Sequence, residues 1–344
     1  MATQAPPKTI SLDYVKTIGI TNNQPIGRGF GFPTDVAFSS DDRIYVLNVG
    51  RSESAKGQRI QICNLDEEWF GEFGNGRGPG DDQFGQPASI AFDSRDRLYV
   101  TDDRLGEIKV FDTEGKAVLR WGNKGSADGE MDGGAGIAVD AEDNLYVVDQ
   151  RNNRVQKFTP EGKFLLKWGE VGSGEGQFNL PWGLGLDSES NVYVADWRND
   201  RVQKFTADGE FVAVIGEPGQ GDGQLSRPSG VAVDGEGFVY VADWGNERVQ
   251  VFGPEGDFRL KLLGQATLSK WAQEWLDANV DEREARKRSQ LFVEKLPEHL
   301  TSPYHTASQV EPYFWGPVSV RLDKEDRLYV TEHSRHRIQV YQKS

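Results

Sequence analysis

Cysteine occurs once in 344 residues, at Cys63, so no intrachain disulfide can form and no oxidising compartment is required. Histidine occurs four times, and His299, His305, His333 and His336 all fall within the last 46 residues. A zinc centre that gathers imidazoles from several points around a fold therefore lacks its ligands over most of the chain. No apolar run reaches the roughly 18 residues that a transmembrane helix needs. The opening stretch MATQAPPKTISLDYV has no charged segment leading into an apolar one, so no signal peptide is expected. Positive charge is also short: 39 Lys and Arg face 54 Asp and Glu, for a formal net charge of −15. Broad binding to nucleic acid depends on clustered cations and is not expected. Together these scarcities predict a cytoplasmic protein with neither a membrane nor a nucleic-acid partner.

Glycine, by contrast, is abundant at 40 residues, while hydrophobic residues make up 37%; this balance favours many turns over long helices. The turns recur. Blocks opening at Pro87, Gly134, Pro181 and Pro228 are spaced by 47 residues, and further copies open at Pro33 and Pro317. The interval from Pro33 to Pro87 is 54, its seven extra residues fitting in GRSESAKG, and that from Pro228 to Pro317 is 89, one repeat plus 42. Each copy reads as four short strands. In the fifth, SGVAVD, FVYVADW, RVQVF and FRLKLLG are apolar or alternating runs bounded by Gly, Asp and Pro. Four strands at this period predict a propeller blade, and six blades close a ring around a channel. The last copy stops after three strands at RIQVYQKS, while LDYVKTIG at 12–19 resembles the outer strand EFVAVIG, so the N-terminal segment is expected to supply the missing strand. The stretch FNLPWGLGLDSESNVYVADWRNDRVQKFTADGEF resembles an NHL repeat, and the resemblance covers the chain apart from one insertion. It implies an all-β, six-bladed β-propeller forming a single domain over 1–344. Function has to be argued from the site, because propellers host many activities.

Asp196, Asn199 and Arg201 recur as Asp149, Asn152, Arg154 and as Asp243, Asn246, Arg248. A strand-ending Asp can accept turn N–H groups, Asn tolerates a left-handed backbone, and Arg can pair back across the hairpin. A catalytic group is needed once, so recurrence marks this set as a hairpin brace. The residue after the Asp is not fixed by the repeat: it is Val49, Asp103, Gln150, Trp197, Trp244 and His333 around the ring, followed by Gly50, Arg104, Arg151, Arg198, Gly245 and Ser334. These positions share the face of the second-to-third-strand loops, where Trp182 also falls, after the Pro that opens blade four. Trp182, Trp197, Trp244, Arg151 and Arg198 are therefore expected to bind a ligand. Arg28, Arg51, Arg77, Arg104 and Arg227 add local positive potential without offsetting the overall acidity.

The insertion, residues 265–312, separates blades five and six. Leu268, Trp271, Trp275 and Leu276 form one helical stripe behind an N-cap at Ser269, expected to dock on the propeller. A second helix is expected from Asp281, with Glu284 completing a capping box, to a point before Pro297. The return segment EHLTSPYHTASQVEPYFWG carries Tyr313 and Trp315. If the insertion is a lid, these two rings cover the aromatic sector and join the ligand set; if it is a partner element, the Trp271/Trp275 stripe faces another chain.

Peptidyl-hydroxyglycine amidating lyase propellers are distantly similar, and the resemblance implies zinc held by histidines that follow the blade-opening Pro. Here those positions are Thr34, Ala88, Ala135, Trp182, Ser229 and Val318. Calcium-dependent lactonase propellers, similar in design, use Asp, Asn or Glu at the channel mouth, and the six positions supply none, although Asp35 lies one residue along. GSADGEMDGG sets Asp128, Glu130 and Asp132 at calcium-loop spacing but lacks the closing bidentate Glu. No metal and no cofactor are expected. GSGEGQF and GQGDGQL lack a following Lys-Ser/Thr and are blade linkers. The reading that remains is a propeller binding a small-molecule ligand or a protein segment at its aromatic face. The alternative is a metal-independent lyase, isomerase or hydrolase, with His333 beside Glu332 as general base, His336 in the same loop, and Arg151 or Arg198 holding an anionic substrate.

Overall fold

The computed structural model describes residues 9–21, 27–50, 57–289, 291 and 296–344; Arg51 lies outside them. Six four-stranded antiparallel sheets stand around one axis. Their inner strands are Pro33–Phe38, Pro87–Phe92, Gly134–Val139, Leu184–Leu186, Pro228–Val233 and Pro317–Leu322, each touching the inner strands of both neighbours, so the ring is closed. The second strands, such as Leu145–Asp149 and Val192–Asp196, are buried along their whole length. Blades cover both of their faces, so they carry continuous apolar runs, whereas outer strands such as Phe164–Trp168 and Phe211–Ile215 alternate half-buried and exposed residues. The core is accordingly divided into layers between blades. Tyr146 and Val148 of blade three, for instance, pack on Val192 and Val194 of blade four. Leu12–Ile18 pairs antiparallel with Arg337–Lys343 as the outer strand of blade six, from Leu12 opposite Lys343 to Ile18 opposite Ile338.

The Asp-x-x-Asn-x-Arg set does more than brace its own hairpin. Asp196 accepts from Asn199 Nδ2 (2.9 Å) and Arg201 Nε (2.9 Å), as expected, and also from the backbone N–H of Asn179 in the preceding linker (2.8 Å). Asn199 and Arg201 then reach back to the carbonyls of Gly172 (2.8 Å), Gly174 (2.6 Å) and Gln177 (2.9 Å). The same bonds tie blade three to the carbonyls of Gly125, Ala127 and Glu130, and blade five to those of Gly219, Gly221 and Gln224. The GSGEGQF and GQGDGQL linkers are the stretches being held.

A second clamp points forward, from the residue just before each third strand. Asn153, Asp200, Glu247 and His336 all have left-handed backbones, with φ between 52° and 55°. Their side chains accept the N–H of the next linker: Leu180 (2.8 Å), Arg227 (2.7 Å), Gly316 (2.6 Å) and, across the ring closure, Phe32 to His336 Nδ1 (2.9 Å). Left-handed non-glycine residues cost energy and persist where surrounding contacts fix them; here a blade junction does so.

Below the top face, the channel is plugged by an ion pair. Arg321 of blade six is bidentate to Asp35 of blade one (2.9 and 2.5 Å), and the carboxylate also accepts from Ser319 (2.6 Å), from Ser89 of blade two (2.5 Å) and from the backbone N–H groups of Val36 (3.0 Å) and Ile90 (3.1 Å). Asp35, the one carboxylate near the channel mouth in sequence, is thus fully engaged.

The described residues of the insertion form three α-helices, α1 (Lys270–Ala278), α2 (Val280–Arg288) and α3 (Pro303–Gln309). Ser269 caps α1 as expected, accepting from the Ala272 N–H at 3.1 Å. The α1 stripe divides: Trp271 is buried, while Trp275 is 47% exposed. The socket for Trp271 is Glu67, in the turn before the outer strand of blade one. Blades two to five place Gly115, Gly162, Gly209 and Gly256 at that position, and Glu67 holds the same left-handed backbone at φ 57°. Its carbonyl accepts from Trp271 Nε1 (2.6 Å), and its carboxylate takes the N–H groups of Gly19 (2.9 Å) and Lys270. Helix α2 begins at Val280 after Asn279, so the capping box expected at Asp281 and Glu284 does not form. Helix α3 was not expected; Ser302 as N-cap and Pro303 in the first turn are its sequence signal. No described helix is long and apolar enough to cross a membrane.

Candidate functional site

At the mouth of the channel lies a cavity of about 540 Å³. Its wall contains all six residues that follow the blade-opening position, Thr34, Ala88, Ala135, Trp182, Ser229 and Val318, and all six that follow the second strand, from Val49 round to His333. Two series of otherwise unconstrained positions thus converge on one space. Trp197 and Trp244 open short 3-10 turns, Trp197–Asn199 and Trp244–Asn246, that the braces hold from behind. With Trp182 they form a row across two blades, with ring centroids 6.3 and 6.4 Å apart and planes tilted by 43° and 46°. Trp182 is 41% exposed with an apolar face available to a ligand.

The opposite wall is polar and comes from residues that the sequence reading did not single out as ligand-binding. Gln58, Arg77, Gln86 and Asp103 line it, with Gln150 beside them. Thr34 Oγ1 and Gln58 Oε1 are buried yet have no hydrogen-bond partner among the described residues; buried polar atoms are otherwise almost always paired. Gln58 was legible by register, because it stands in blade one where Asn153 and Asp200 stand in theirs. Burial pushes the Asp103 carboxyl above its usual range, against the pull of Arg151.

Several expected site residues lie elsewhere. Arg151 is turned onto Asp103 (2.5 and 3.0 Å) and sits behind the wall. Arg198 is exposed on the rim, its guanidinium 5.6 Å from the Trp197 ring. Tyr313 and Trp315 do not reach the cavity: the Tyr313 carbonyl accepts from Arg337, and Trp315 packs between Tyr304 (5.7 Å) and the Arg335 guanidinium (5.3 Å). No described residue of the insertion lines the cavity. Helix α1 is committed to blade one and α3 packs beside the Trp244 turn, so the described residues of the insertion flank the site without lining it.

The two candidate histidines also separate. His336 is the ring-closure clamp, 4.4 Å from the Phe32 ring. His333 does line the cavity, but Glu332 is no partner for it. Glu332 occupies the Asp position of its brace, is fully buried, and binds Arg337 (2.7 Å) and Gln339 (2.7 Å). Burial lowers the His333 pKa, with a hydrogen bond to the Pro33 backbone acting in the other direction. Among the described residues no group of three or more His, Cys, Asp or Glu is placed to hold a metal ion. The carboxylates of the calcium-like loop are each engaged: Asp128 by Lys167, Glu130 by Asn123 and the Ala127 N–H, Asp132 by Lys124.

Comparison with known proteins gives the fold a family setting. The NHL repeat model matches residues 135–158, 178–205, 225–252 and 314–341. No match was found among curated proteins. Among solved structures, virginiamycin B lyase from Staphylococcus aureus is 13% identical with TM-score 0.54, covering 97% of this chain and 99% of its own. A protein of unknown function from Bacteroides thetaiotaomicron is 18% identical with TM-score 0.64, covering 97% and 76%. The nidogen/laminin complex gives 18% identity and TM-score 0.53 over 73% and 92%. At these identities the likeness speaks for the fold, and the chain is a six-bladed β-propeller in which four repeats match the NHL model.

Proposed function

We propose that the channel-mouth cavity is a binding site for a small organic ligand with a flat apolar part. The observation that carries this reading is the pairing of a three-tryptophan wall with a polar wall whose Thr34 and Gln58 oxygens have no partner among the described residues. Aromatic rings supply contact area at low conformational cost, and a few convergent polar groups orient the ligand. The lyase neighbour has been crystallised with quinupristin in a catalytically inactive form, and the nidogen/laminin complex shows a propeller engaging a protein. The cavity volume favours the first kind of partner. Binding without turnover is the stronger reading, because His333, the sole imidazole on the wall, has lost its carboxylate partner to the blade-six brace.

The expected result is that Trp197→Ala weakens binding of 2-naphthylmethanol about tenfold, the loss of roughly 1.4 kcal/mol of stacking and burial. Trp275→Ala, on the exposed side of α1, should leave the affinity unchanged. Titration calorimetry on the two variants checks this, and equal affinities for wild type and Trp197→Ala would contradict the reading.

A further inference from the structure

We propose that the ligand is a planar organic anion, an aromatic or heteroaromatic carboxylate whose acid group is met by Arg77. The inference rests on the cavity being a binding site. Among the described residues three titratable side chains line it: Arg77, Asp103 and His333. Asp103 is neutralised from behind by the bidentate Arg151, and Asp132, also beside Arg151 (3.8 Å), has Lys124 at 3.3 Å. That cluster contains two acids and two bases, so the acidic wall presents little net field. His333 is half-buried, and the desolvation lowers its pKa, favouring the neutral form. Arg77 is exposed and forms no ion pair among the described residues. Among the described residues, charge at the cavity wall is therefore set by one guanidinium that forms no ion pair, in a protein whose formal net charge is −15.

The rim points the same way. Arg104, Arg198 and Arg227 likewise form no ion pair among the described residues, and the Arg198 and Arg227 guanidiniums lie 5.6 and 5.2 Å from the Trp197 ring centroid. An aromatic face already attended by cations is a poor site for a cationic ligand. A flat anion gains from both features: its ring stacks in the tryptophan row, and its carboxylate meets a fork of N–H donors that a guanidinium presents in matching geometry.

The test compares three probes of one shape, 2-naphthoate, 2-naphthylmethanol and 2-naphthylmethylammonium, by calorimetry at low salt. Naphthoate should bind at least fivefold tighter than the alcohol, with the ammonium weakest. Arg77→Gln should bring naphthoate down to the level of the alcohol and leave the alcohol unaffected. If the alcohol and naphthoate bind equally, or Arg77→Gln weakens both alike, the anion preference is overturned while the cavity reading stands. If none of the three binds, both fall.

Discussion

Arg321→Met is expected to destabilise the protein by about 3–5 kcal/mol, the cost of leaving a buried carboxylate without its counter-charge. The residues four places after each blade opening are Ala37, Ala91, Ala138, Gly185, Ala232 and Arg321. Five are small, and only Arg321 is long enough to cross the axis. It joins blade six to Asp35 of blade one, to Ser89 of blade two (2.9 Å), and to the Ile137 carbonyl of blade three (3.4 Å). Burial alone would raise the Asp35 carboxyl, but Arg321, Ser319 and Ser89 together hold it below its usual range. Its contribution is thus present above the unfolded-state pKa and is lost as pH falls through the folded one. Asp35→Asn combined with Arg321→Met removes both charges and should recover most of the loss. Urea denaturation of the single and double variants measures both; a single variant as stable as wild type would show that the plug is not holding the ring.

Glu247→Gln is expected to act in the opposite direction, stabilising the protein at pH 8. Glu247 is buried at the junction of blades five and six, accepts the Gly316 N–H at 2.6 Å, and has a carboxyl pushed up to about 7, first by burial and further by Glu332. Between the unfolded value of 4.5 and about 7 the native state holds a proton that the unfolded state has released. Stability therefore falls as pH rises through this window, by about 3 kcal/mol in total. Glutamine keeps the acceptor for Gly316 and cannot ionise, so the variant should lose this slope and exceed wild type by up to about 3 kcal/mol above pH 7. Melting temperatures from pH 5 to 8 decide it, and parallel curves for the two proteins would exclude the assignment.

Much of this architecture was legible because the repeat numbers every residue. Once blades were aligned at a period of 47, the positions facing the channel mouth followed from register, and both series named from sequence line the cavity. The same register carried information that composition obscured. Trp315 stands two residues before Pro317, where blades four and five have Asn179 and Ser226, and all three backbones donate to the acid of their own brace. An aromatic residue there belongs to the blade junction. The clamps were not legible, because Asn, Asp, Glu and His share no pattern beyond an acceptor atom, and the left-handed backbone that aims it is set by the junction. The seat of α1 was hidden for a related reason: Glu67 replaces a turn glycine, and its meaning depends on a helix more than 200 residues away.

The central claim is that a planar ligand enters the tryptophan row at the channel mouth. The nine indole N–H signals of the protein can be followed individually by ¹H–¹⁵N spectroscopy, assigned by single Trp→Phe substitutions, during titration with 2-naphthoate. The account predicts that Trp182, Trp197 and Trp244 shift together along one binding curve while Trp271 stays fixed. Shifts confined to exposed rings such as Trp69 and Trp275, with the three cavity indoles unmoved, would contradict it.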